Sequence, residues 1–456
     1  MYFIRAERGM DESEQANKNP LSPILSRLFK NDIEDIYPDV QDETQRLRSL
    51  VEKMNENVEE ETNILLAEIV QKSIDFGYPN AEEMQLKAIT QIALEEQIKN
   101  HTDLAYVEQG LGEELPSTYN GLGYKNLIKI VFALAEFSEQ IKNNIEIAVP
   151  LLFLEEPESH MHPQLQQTFV KFLTKVLNKI SSKTIQVLLT THLSHIANTG
   201  LFKQIRYVQK QKNKILLKDL SEFCDTNKDN ADFIHKYLTI NRCDLFFADK
   251  AILIEGTAER LLIPDMIRKC GEVGLYKSKA PQLPSQYYSL IEVGGAYAHK
   301  FYPFLEFLGI PSLIITDIDS VGDNREKTYV SEGKKSSNAT INWWMRRVLN
   351  LEEGEEIPLD KITALEDEKK TNGICHIEYQ THENGLCGRS LEEAIINANR
   401  TLYGISANPN EGDIKFGNTK KTDFALELLL EKPDYEVPTY IKSGLCWLDK
   451  QKALGN

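Results

Sequence analysis

The stretch Leu-Leu-Phe-Leu-Glu-Glu-Pro-Glu-Ser-His-Met-His-Pro, residues 151–163, decides the fold of the first half of this chain. The apolar run from Leu151 to Leu154 predicts a buried strand, and Glu155 and Glu156 follow where it ends. Many nucleotide hydrolases use such a strand to place one acid near Mg²⁺ and another near the attacking water. The simpler alternative is a strand with an acidic turn, but the residues that follow form an unusual turn sequence.

A helix and a second strand follow this motif. Residues 163–180 have a helical pattern, and residues 185–190 form an apolar run that leads to Thr191 and His192. This strand–helix–strand order predicts a βαβ unit and therefore a parallel sheet. His192 would end the strand beside the paired acids and could contact a phosphate, whereas an isolated histidine is more often structural.

A glycine-bearing loop precedes the acidic strand. It contains Asn120, Gly121 and Gly123 and leads into an apolar helix. A loop of this kind can present unpaired N–H groups and the positive end of a helix dipole to an anion. It is equally compatible with an ordinary helix start.

Size and composition restrict the class of protein. A chain of 456 residues with 41% hydrophobic and 27% charged residues is typical of a soluble protein with two or three domains. No apolar run approaches the ~20 residues needed to span a bilayer, and the N-terminus does not resemble a signal peptide. We therefore expect a cytoplasmic protein. The six cysteines include no C-x-x-C pair and are expected to be reduced.

The charge pattern bears on partners. A net charge of −17 argues against a uniformly basic nucleic-acid-binding surface, but it does not exclude local contact with DNA. Residues from about 40 to 110 are rich in Glu, Gln, Lys, Leu and Ile, and Leu50, Val51, Met54 and Val58 recur at helical spacing. This segment predicts a helical arm that dimerises the chain. A solvated helical bundle without any chemistry is the alternative for the segment itself.

A second α/β pattern begins at Lys250 and carries four acids. Glu255 ends one predicted strand, with Glu259 one helical turn later, and Asp317 and Asp319 end another. The two-residue spacing of the aspartates would place both side chains on one side of an extended chain. Four carboxylates at neighbouring strand ends would repel one another without cations, and hard oxygen ligands suit Mg²⁺ or Mn²⁺. A pair of such ions supports phosphodiester cleavage. The alternative is that each acid is a separate cap or turn residue.

These motifs resemble known families. The Glu255–Glu259 segment followed by Asp317-Ile318-Asp319 resembles the TOPRIM domain of topoisomerases, primases and certain nucleases. The first acidic site resembles the second half of an ABC-type ATPase, with a divergent signature motif, a Walker B strand and a switch histidine. This order resembles the OLD (overcoming lysogenisation defect) family of ATP-dependent endonucleases, which includes the nuclease subunit of the Gabija phage-defence system.

The resemblance implies roles for particular residues. Asn120, Gly121, Gly123, Glu155, Glu156 and His192 would bind ATP, with Glu156 orienting water and His192 sensing the γ-phosphate. The metal ligands would be Glu255, Glu259, Asp317, Asp319 and Glu392. Ser390-Leu391-Glu392 is similar to a Ser-x-Glu segment of the family, and Glu393 competes with Glu392 for the role of ligand. Lys421 would stabilise charge on the scissile phosphate.

The chain also departs from the family pattern. No G-x-x-x-x-G-K-[ST] loop occurs in the sequence, so ATP is expected to bind only if that part is supplied. We expect a fragment, a misassigned start or half of a split protein. Glu155 stands where aspartate is usual in Walker B, and Asn120 stands where the signature motif has serine.

Together these features predict an α/β protein with four parts. They are an ATPase remnant (1–37), a helical arm (38–112), the C-terminal half of an ABC-type ATPase domain (113–245) and a TOPRIM nuclease domain (246–456). The predicted function is a two-metal DNA endonuclease regulated by the ATPase module. The expected partners are DNA, further copies of the chain in a homodimer or higher homo-oligomer, and a helicase-like protein. The alternatives are a regulatory or DNA-repair ATPase without nuclease activity, and a primase or topoisomerase.

Overall fold

The chain divides into two compact units, which are described separately. The computed structural model describes residues 1–5, 41–75, 87, 89–92, 105–107, 114–116, 122–143, 147–159, 161–180, 185–192, 202–211, 214–241, 244–278, 281–294, 297–406, 409–417 and 420–452. The first unit is Met1–Thr199 and the second is Gly200–Asn456. The four parts predicted from the sequence stay a prediction, and residues 200–245 belong to the second compact unit.

The first unit contains a small parallel sheet with helices. Its strands are β1 (Tyr2–Ile4), β2 (Ala105–Val107), β3 (Glu114–Pro116), β4 (Leu151–Glu155) and β5 (Gln186–Thr190). Its helices are α1 (Gln41–Asp75), α2 (Leu122–Asn143) and α3 (Pro163–Ile180). The sheet has the order β1–β4–β5 with all strands parallel, while β2 and β3 form a separate antiparallel pair. The predicted βαβ unit, β4–α3–β5, is therefore present.

The core of the first unit follows the helical and strand periodicities of the sequence. In β4, Leu152 and Leu154 are buried, and the exposed Glu155 comes directly after them. The side chains of α2 that pack against this strand recur every three or four residues. The whole cluster comprises Ile130, Leu134, Phe137, Ile141, Leu152, Leu154, Met161, Phe169 and Leu173. The sheet thus carries both glutamates to its carboxyl edge.

The second unit is larger and contains a five-stranded sheet. Its strands are β6 (Arg206–Gln211), β7 (Lys214–Asp219), β8 (Lys250–Ile254), β9 (Tyr288–Glu292), β10 (Ser312–Ile315), β11 (Ser320–Val321), β12 (Lys335–Ser336), β13 (Thr371–Asn372) and β14 (Cys375–Glu378). Its α-helices are α4 (Leu220–Thr226), α5 (Lys228–Asn241), α6 (Thr257–Glu272), α7 (Ala298–Leu308), α8 (Ala339–Leu349), α9 (Leu359–Thr363), α10 (Leu391–Ala398), α11 (Lys421–Leu430) and α12 (Thr439–Lys450). Short 3₁₀ turns lie at Phe202–Gln204, Asp244–Phe247, Leu283–Ser285, Asp367–Lys370, Arg400–Tyr403 and Glu411–Ile414.

The strand order of the main sheet predicts a ligand-binding crevice at the carboxyl ends of its central strands. The strands lie in the order β13–β14–β10–β8–β9, and all are parallel except the antiparallel edge strand β13. The chain runs from β8 to β9 on one side and then returns past β8 to β10. The direction of winding therefore reverses between β8 and β10. In open α/β sheets, ligands bind outside the carboxyl ends of the strands at such a reversal.

Strands β8 and β10 form the centre of the core. Every residue of both strands is buried, which explains why their sequences are continuous apolar runs rather than alternating patterns. Ile252, Ile254, Leu313 and Ile315 pack on the helices α6, α10, α11 and α12. This packing fixes the ends of the two strands relative to each other. Within the described residues, no helix is both long and apolar enough to cross a membrane.

Candidate acidic active site

Glu255 connects the ends of the two central strands. It follows the last residue of β8, and its Oε1 accepts a hydrogen bond from the backbone N–H of Asp317 at 2.9 Å. The hydroxyl of Thr316 and the Nδ2 of Asn338, the latter at 3.0 Å, also donate to this oxygen. Burial and then the neighbouring Asp317 carboxylate raise the pKa of Glu255 to about 8.

Asp317 lies at the centre of the cluster and is only 4% exposed. Its Oδ1 accepts hydrogen bonds from Gln380 Nε2 at 2.7 Å and from Leu391 N at 2.9 Å. Its Oδ2 lies 3.3 Å from the ammonium of Lys421. The end of β10, the first turn of α10 and the start of α11 therefore meet at one carboxylate.

Glu392 is fully buried beside Asp317. Its Oε2 accepts a hydrogen bond from Ser390 Oγ at 2.7 Å and lies 3.2 Å from Lys421 Nζ. Its Oε1 is buried and has no hydrogen-bond partner among the residues that the structure describes. A buried carboxylate oxygen is costly to leave unpaired, so this atom is available to a bound cation.

Glu259, in the first turn of α6, is the fourth member of a buried group of acids that also contains Glu255, Asp317 and Glu392. We call these four residues the inner group. It is 3% exposed, and its Oε2 accepts the N–H of Gly256 at 3.0 Å, which caps the helix. Burial and then the Asp317 carboxylate raise the pKa of Glu259 to about 7. The helix cap and the acid cluster therefore share one side chain.

Asp319 and Glu393 have partners different from those of the inner group. The strand β10 ends at Ile315, and Asp319 has a left-handed backbone with φ 46°, so the extended geometry assumed for the two-residue spacing does not continue to Asp319. Burial and then the Asp317 carboxylate still raise the pKa of Asp319. Asp319 Oδ1 pairs with Arg389 Nη2 at 2.9 Å. Glu393 Oε2 accepts Arg389 N at 2.7 Å. The structure thus places Glu392, and not Glu393, beside Asp317.

Lys421 supplies the positive charge of the cluster. Burial lowers the pKa of its ammonium, but the carboxylates of Asp317, Glu392 and Glu259 outweigh this effect and raise it above its usual range. Its side chain remains 49% exposed. It can therefore neutralise the acids and still reach solvent.

The oxygen-rich donor set has the chemistry that Mg²⁺ or Mn²⁺ requires. Within the described part of the chain, no three His, Cys, Asp or Glu side chains already converge as metal ligands. The reason is visible in the contacts above, because most carboxylate oxygens are engaged by protein donors and Lys421 lies between Asp317 and Glu392. The Glu392 Oε1, which has no partner among the described residues, fits a site that a cation would complete.

The first unit carries the other predicted site. Glu155 is exposed at the end of β4, and Glu156 adopts a left-handed backbone with φ 41°. His192 Nδ1 lies 3.7 Å from Glu156 Oε1. Gly123 lies in the first turn of α2, whereas Asn120 and Gly121 lie outside the described residues. The strand ends of β4 and β5 therefore bring the second glutamate and the histidine together.

Three further residues of the acidic site were not predicted from the sequence. Asn338 caps α8 with its Oδ1 and donates from Nδ2 to Glu255, Gln380 holds Asp317, and Arg389 holds Asp319. Asn338 stands at a recognisable helix start, and Gln380 comes soon after a strand, so each had a local signal. Nothing local in the sequence connects either residue with an acid some 60 to 80 positions away.

Two family models match the chain. One is described as an AAA ATPase domain and matches residues 1–197, and the other is described as Overcoming lysogenization defect protein-like, TOPRIM domain, and matches residues 246–319. The chain therefore carries an AAA ATPase domain followed by an OLD-like TOPRIM domain. This confirms the predicted order of an ATPase part and a TOPRIM part in an α/β protein.

Two curated proteins are similar to it. Endonuclease GajA from Bacillus cereus (strain HuB5-5) is 27% identical over 493 residues, which cover 96% of this chain and 68% of that protein. OLD nuclease from Thermus scotoductus (strain ATCC 700910 / SA-01) is 27% identical over 168 residues, which cover 36% of this chain and 29% of that protein. The resemblance to ATPase-linked nucleases that the sequence motifs indicated is confirmed by these names and domains.

Proposed function

We propose that the chain is a metal-dependent DNA endonuclease whose activity is regulated by its ATPase domain, with a role in defence against phage. The observation that carries this proposal is the hydrogen bond of 2.9 Å from Asp317 N to Glu255 Oε1, which joins the two central strand ends in a buried group of acids. The names of the similar proteins, an endonuclease and a nuclease, agree with it. A regulatory ATPase without nuclease activity would have no use for this group.

The acids are proposed to hold two ions of Mg²⁺ or Mn²⁺. The ligands would be Glu255, Glu259, Asp317, Asp319 and Glu392. When bound, such ions lower the pKa of a water and stabilise the leaving oxygen of a phosphodiester. Ser390 keeps Glu392 Oε2 engaged, which leaves Oε1 of the same carboxylate for a cation.

Lys421 is proposed to act on the scissile phosphate. Its ammonium contacts Asp317 and Glu392 in the structure, and its exposed side can face a bound DNA strand. Divalent ions bound to the same carboxylates would compete for their charge and leave the ammonium to the phosphate oxygens. The residue would thus supply positive charge where negative charge develops.

The ATPase site is proposed to use Glu155 near Mg²⁺, Glu156 to orient water and His192 to sense the γ-phosphate, with Asn120, Gly121 and Gly123 near the nucleotide. The distance of 3.7 Å between the side chains of His192 and Glu156 supports their cooperation. The long α1 helix exposes Leu50, Met54 and Leu65, which supports a dimerising arm. A helicase-like partner and a cytoplasmic location complete the proposal.

Nicking of supercoiled plasmid in the presence of Mg²⁺ or Mn²⁺ tests the nuclease proposal. We expect Glu255→Ala and Asp317→Ala to slow nicking by at least about 100-fold, because residues that only orient metal ligands already contribute 10- to 100-fold. Glu272→Ala is the matched control, since Glu272 is an exposed acid that pairs with Arg268 on α6. Equal rates for the wild type and both cluster variants would contradict the proposal and favour a regulatory ATPase.

A further inference from the structure

Arg389 joins two loops of the acidic site through three contacts. Its Nη2 lies 2.9 Å from Asp319 Oδ1, and its Nε donates to the carbonyl oxygen of Ser320 at 3.1 Å. The backbone N–H of Asp319 donates to the carbonyl oxygen of Arg389 at 3.4 Å. The segment after β10 is therefore held by one residue that directly precedes Ser390 and α10.

The backbone of Arg389 is itself fixed to α10. Its N–H donates to Glu393 Oε2 at 2.7 Å. The preceding Gly388 packs so closely that a Cβ there would lie 2.7 Å from Ala394 N and 2.9 Å from Glu393 C. Backbone atoms cannot move aside as a side chain can, so the backbone at Gly388 and Arg389 has little conformational freedom. The guanidinium of Arg389 therefore extends from a backbone position that is fixed against α10.

The segment that Arg389 contacts needs such support. Asp319 is a non-glycine residue with φ 46°, a conformation that costs free energy unless its surroundings enforce it. It lies two residues after Asp317, the acid at the centre of the cluster. The side chains of Arg389 and Asp319 are 17% and 35% exposed, so solvent screens this ion pair less than a surface pair.

We propose that Arg389 is a positioning residue for the metal site. It fixes the Asp317–Ser320 segment against the first turn of α10, so that Asp317 and Glu392 lie side by side. Lysine could supply the charge, but its N–H donors share one nitrogen, whereas the guanidinium contacts Ser320 and Asp319 with two separate nitrogens. This inference rests on the proposed function and assigns Arg389 no contact with substrate.

The test compares Arg389→Ala and Arg389→Lys with the wild-type chain. Mn²⁺ affinity is measured by electron paramagnetic resonance, and kcat and KM are measured by plasmid nicking. We expect Arg389→Ala to weaken Mn²⁺ binding by about 10- to 100-fold, the range for residues that orient metal ligands, and to lower kcat at fixed Mn²⁺ with KM for DNA unchanged. Arg389→Lys should keep the fold and recover the Mn²⁺ affinity only in part. Arg268→Ala, which removes exposed pairs with Asp265 and Glu272, should behave as the wild type.

Three outcomes would overturn the inference. A folded Arg389→Ala variant with wild-type Mn²⁺ affinity would do so, and so would full recovery of affinity and kcat in Arg389→Lys. Failure of the wild-type chain to bind Mn²⁺ would overturn both this inference and the metal-dependent function. If the wild type binds Mn²⁺ but cuts no DNA, the nuclease proposal alone fails, and the Mn²⁺ affinities still decide the role of Arg389.

Discussion

At the scale of single residues, burial raises the pKa of two glutamates of the acidic site, Glu255 and Glu259. The pKa of Glu255 is raised to about 8 and that of Glu259 to about 7, in both cases first by burial and then by the Asp317 carboxylate. In the unfolded chain both groups ionise near their ordinary pKa of 4.5. The metal-free fold therefore avoids part of the repulsion by keeping protons that a cation would displace.

These shifts predict how stability depends on pH and Mg²⁺. From about pH 4.5 up to about pH 7 for Glu259 and about pH 8 for Glu255, the unfolded chain binds fewer protons than the folded chain, so this contribution to the free energy of unfolding falls as pH rises. Mg²⁺ replaces the protons, so we expect it to raise Tm more at pH 8.5 than at pH 5.5. Scanning calorimetry at both pH values checks this. The Glu255→Gln/Glu259→Gln double variant is the control and should show a weaker Mg²⁺ response. An equal Mg²⁺ effect at both pH values would contradict the expectation.

Asn338 has two roles that can be separated experimentally. Its Oδ1 accepts from Thr340 N at 2.9 Å and caps α8, while its Nδ2 donates to Glu255 at 3.0 Å, to Thr316 Oγ1 at 2.8 Å and to the Asp317 carbonyl oxygen at 3.0 Å. We expect Asn338→Ala to cost about 1 kcal/mol through the lost cap and a further amount through the buried acceptors that lose their donor, and also to slow nicking because Glu255 is one of them. Urea unfolding and plasmid nicking measure the two effects.

The matched control for this variant is Asp219→Ala. Asp219 caps α4 by accepting from Ser221 N at 2.8 Å and pairs with Arg206 at 2.9 Å, and none of these described contacts involves the acids of the cluster. The variant should lose the stability of its cap and keep the wild-type nicking rate. If Asn338→Ala also kept the wild-type nicking rate, the hydrogen bond from Asn338 to Glu255 would not contribute to activity.

At the scale of elements, the strands and their terminal acids were predictable, but the contacts between distant segments were not. The apolar runs that end at Ile254 and Ile315 identify β8 and β10, and a parallel sheet brings Glu255 and Asp317 to one edge. Sequence left Glu392 and Glu393 as alternatives. Adjacent helical residues point about 100° apart, and only the packed position of α10 decides which one faces Asp317.

Gly444 shows how closely α12 packs on the main sheet. A Cβ at this position would lie 2.9 Å from both Leu313 Cδ1 of β10 and Glu378 Cγ of β14. Alanine normally favours a helix over glycine by about 1 kcal/mol. We expect Gly444→Ala instead to lower the free energy of unfolding by about 1–3 kcal/mol, the usual cost of overpacking. Chemical denaturation measures it.

Gly417→Ala is the control for this prediction, because a Cβ there would meet nothing within 4 Å. It should leave stability close to that of the wild type. A gain of stability in Gly444→Ala would mean that α12 shifts outward at little cost. The close approach would then not be needed to hold the sheet that carries Asp317.

At the scale of the whole molecule, the extent of the second unit has a physical explanation. Phe304 of α7 contacts three aromatic rings that precede β8. The centroid distances are 5.7 Å to Phe202, 5.1 Å to Phe223 and 5.9 Å to Phe246. Aromatic side chains bury large areas, so residues 200–245, which contain Phe202 and Phe223, contribute to the core around α7. Sequence motifs indicated a boundary at residue 246, shortly before the strand β8 and its acids, and motifs carry no information about this packing.

Two fragments distinguish these boundaries. Because the compact unit begins at Gly200, we expect residues 200–456 to unfold cooperatively on their own and to keep the Mg²⁺-dependent rise in Tm. Residues 246–456 lose Phe202 and Phe223, two of the three aromatic partners of Phe304, so their Tm should be lower by several degrees, since about 1 kcal/mol corresponds to 2–4 °C in a domain of this size. Scanning calorimetry of both fragments in Mg²⁺ measures the difference.

Phe304→Ala in the longer fragment is the matched variant and should lower the Tm of that fragment towards the Tm of the shorter one. Equal stability of the two fragments would instead place the functional boundary at residue 246, and residues 200–245 would then be a separate connecting element.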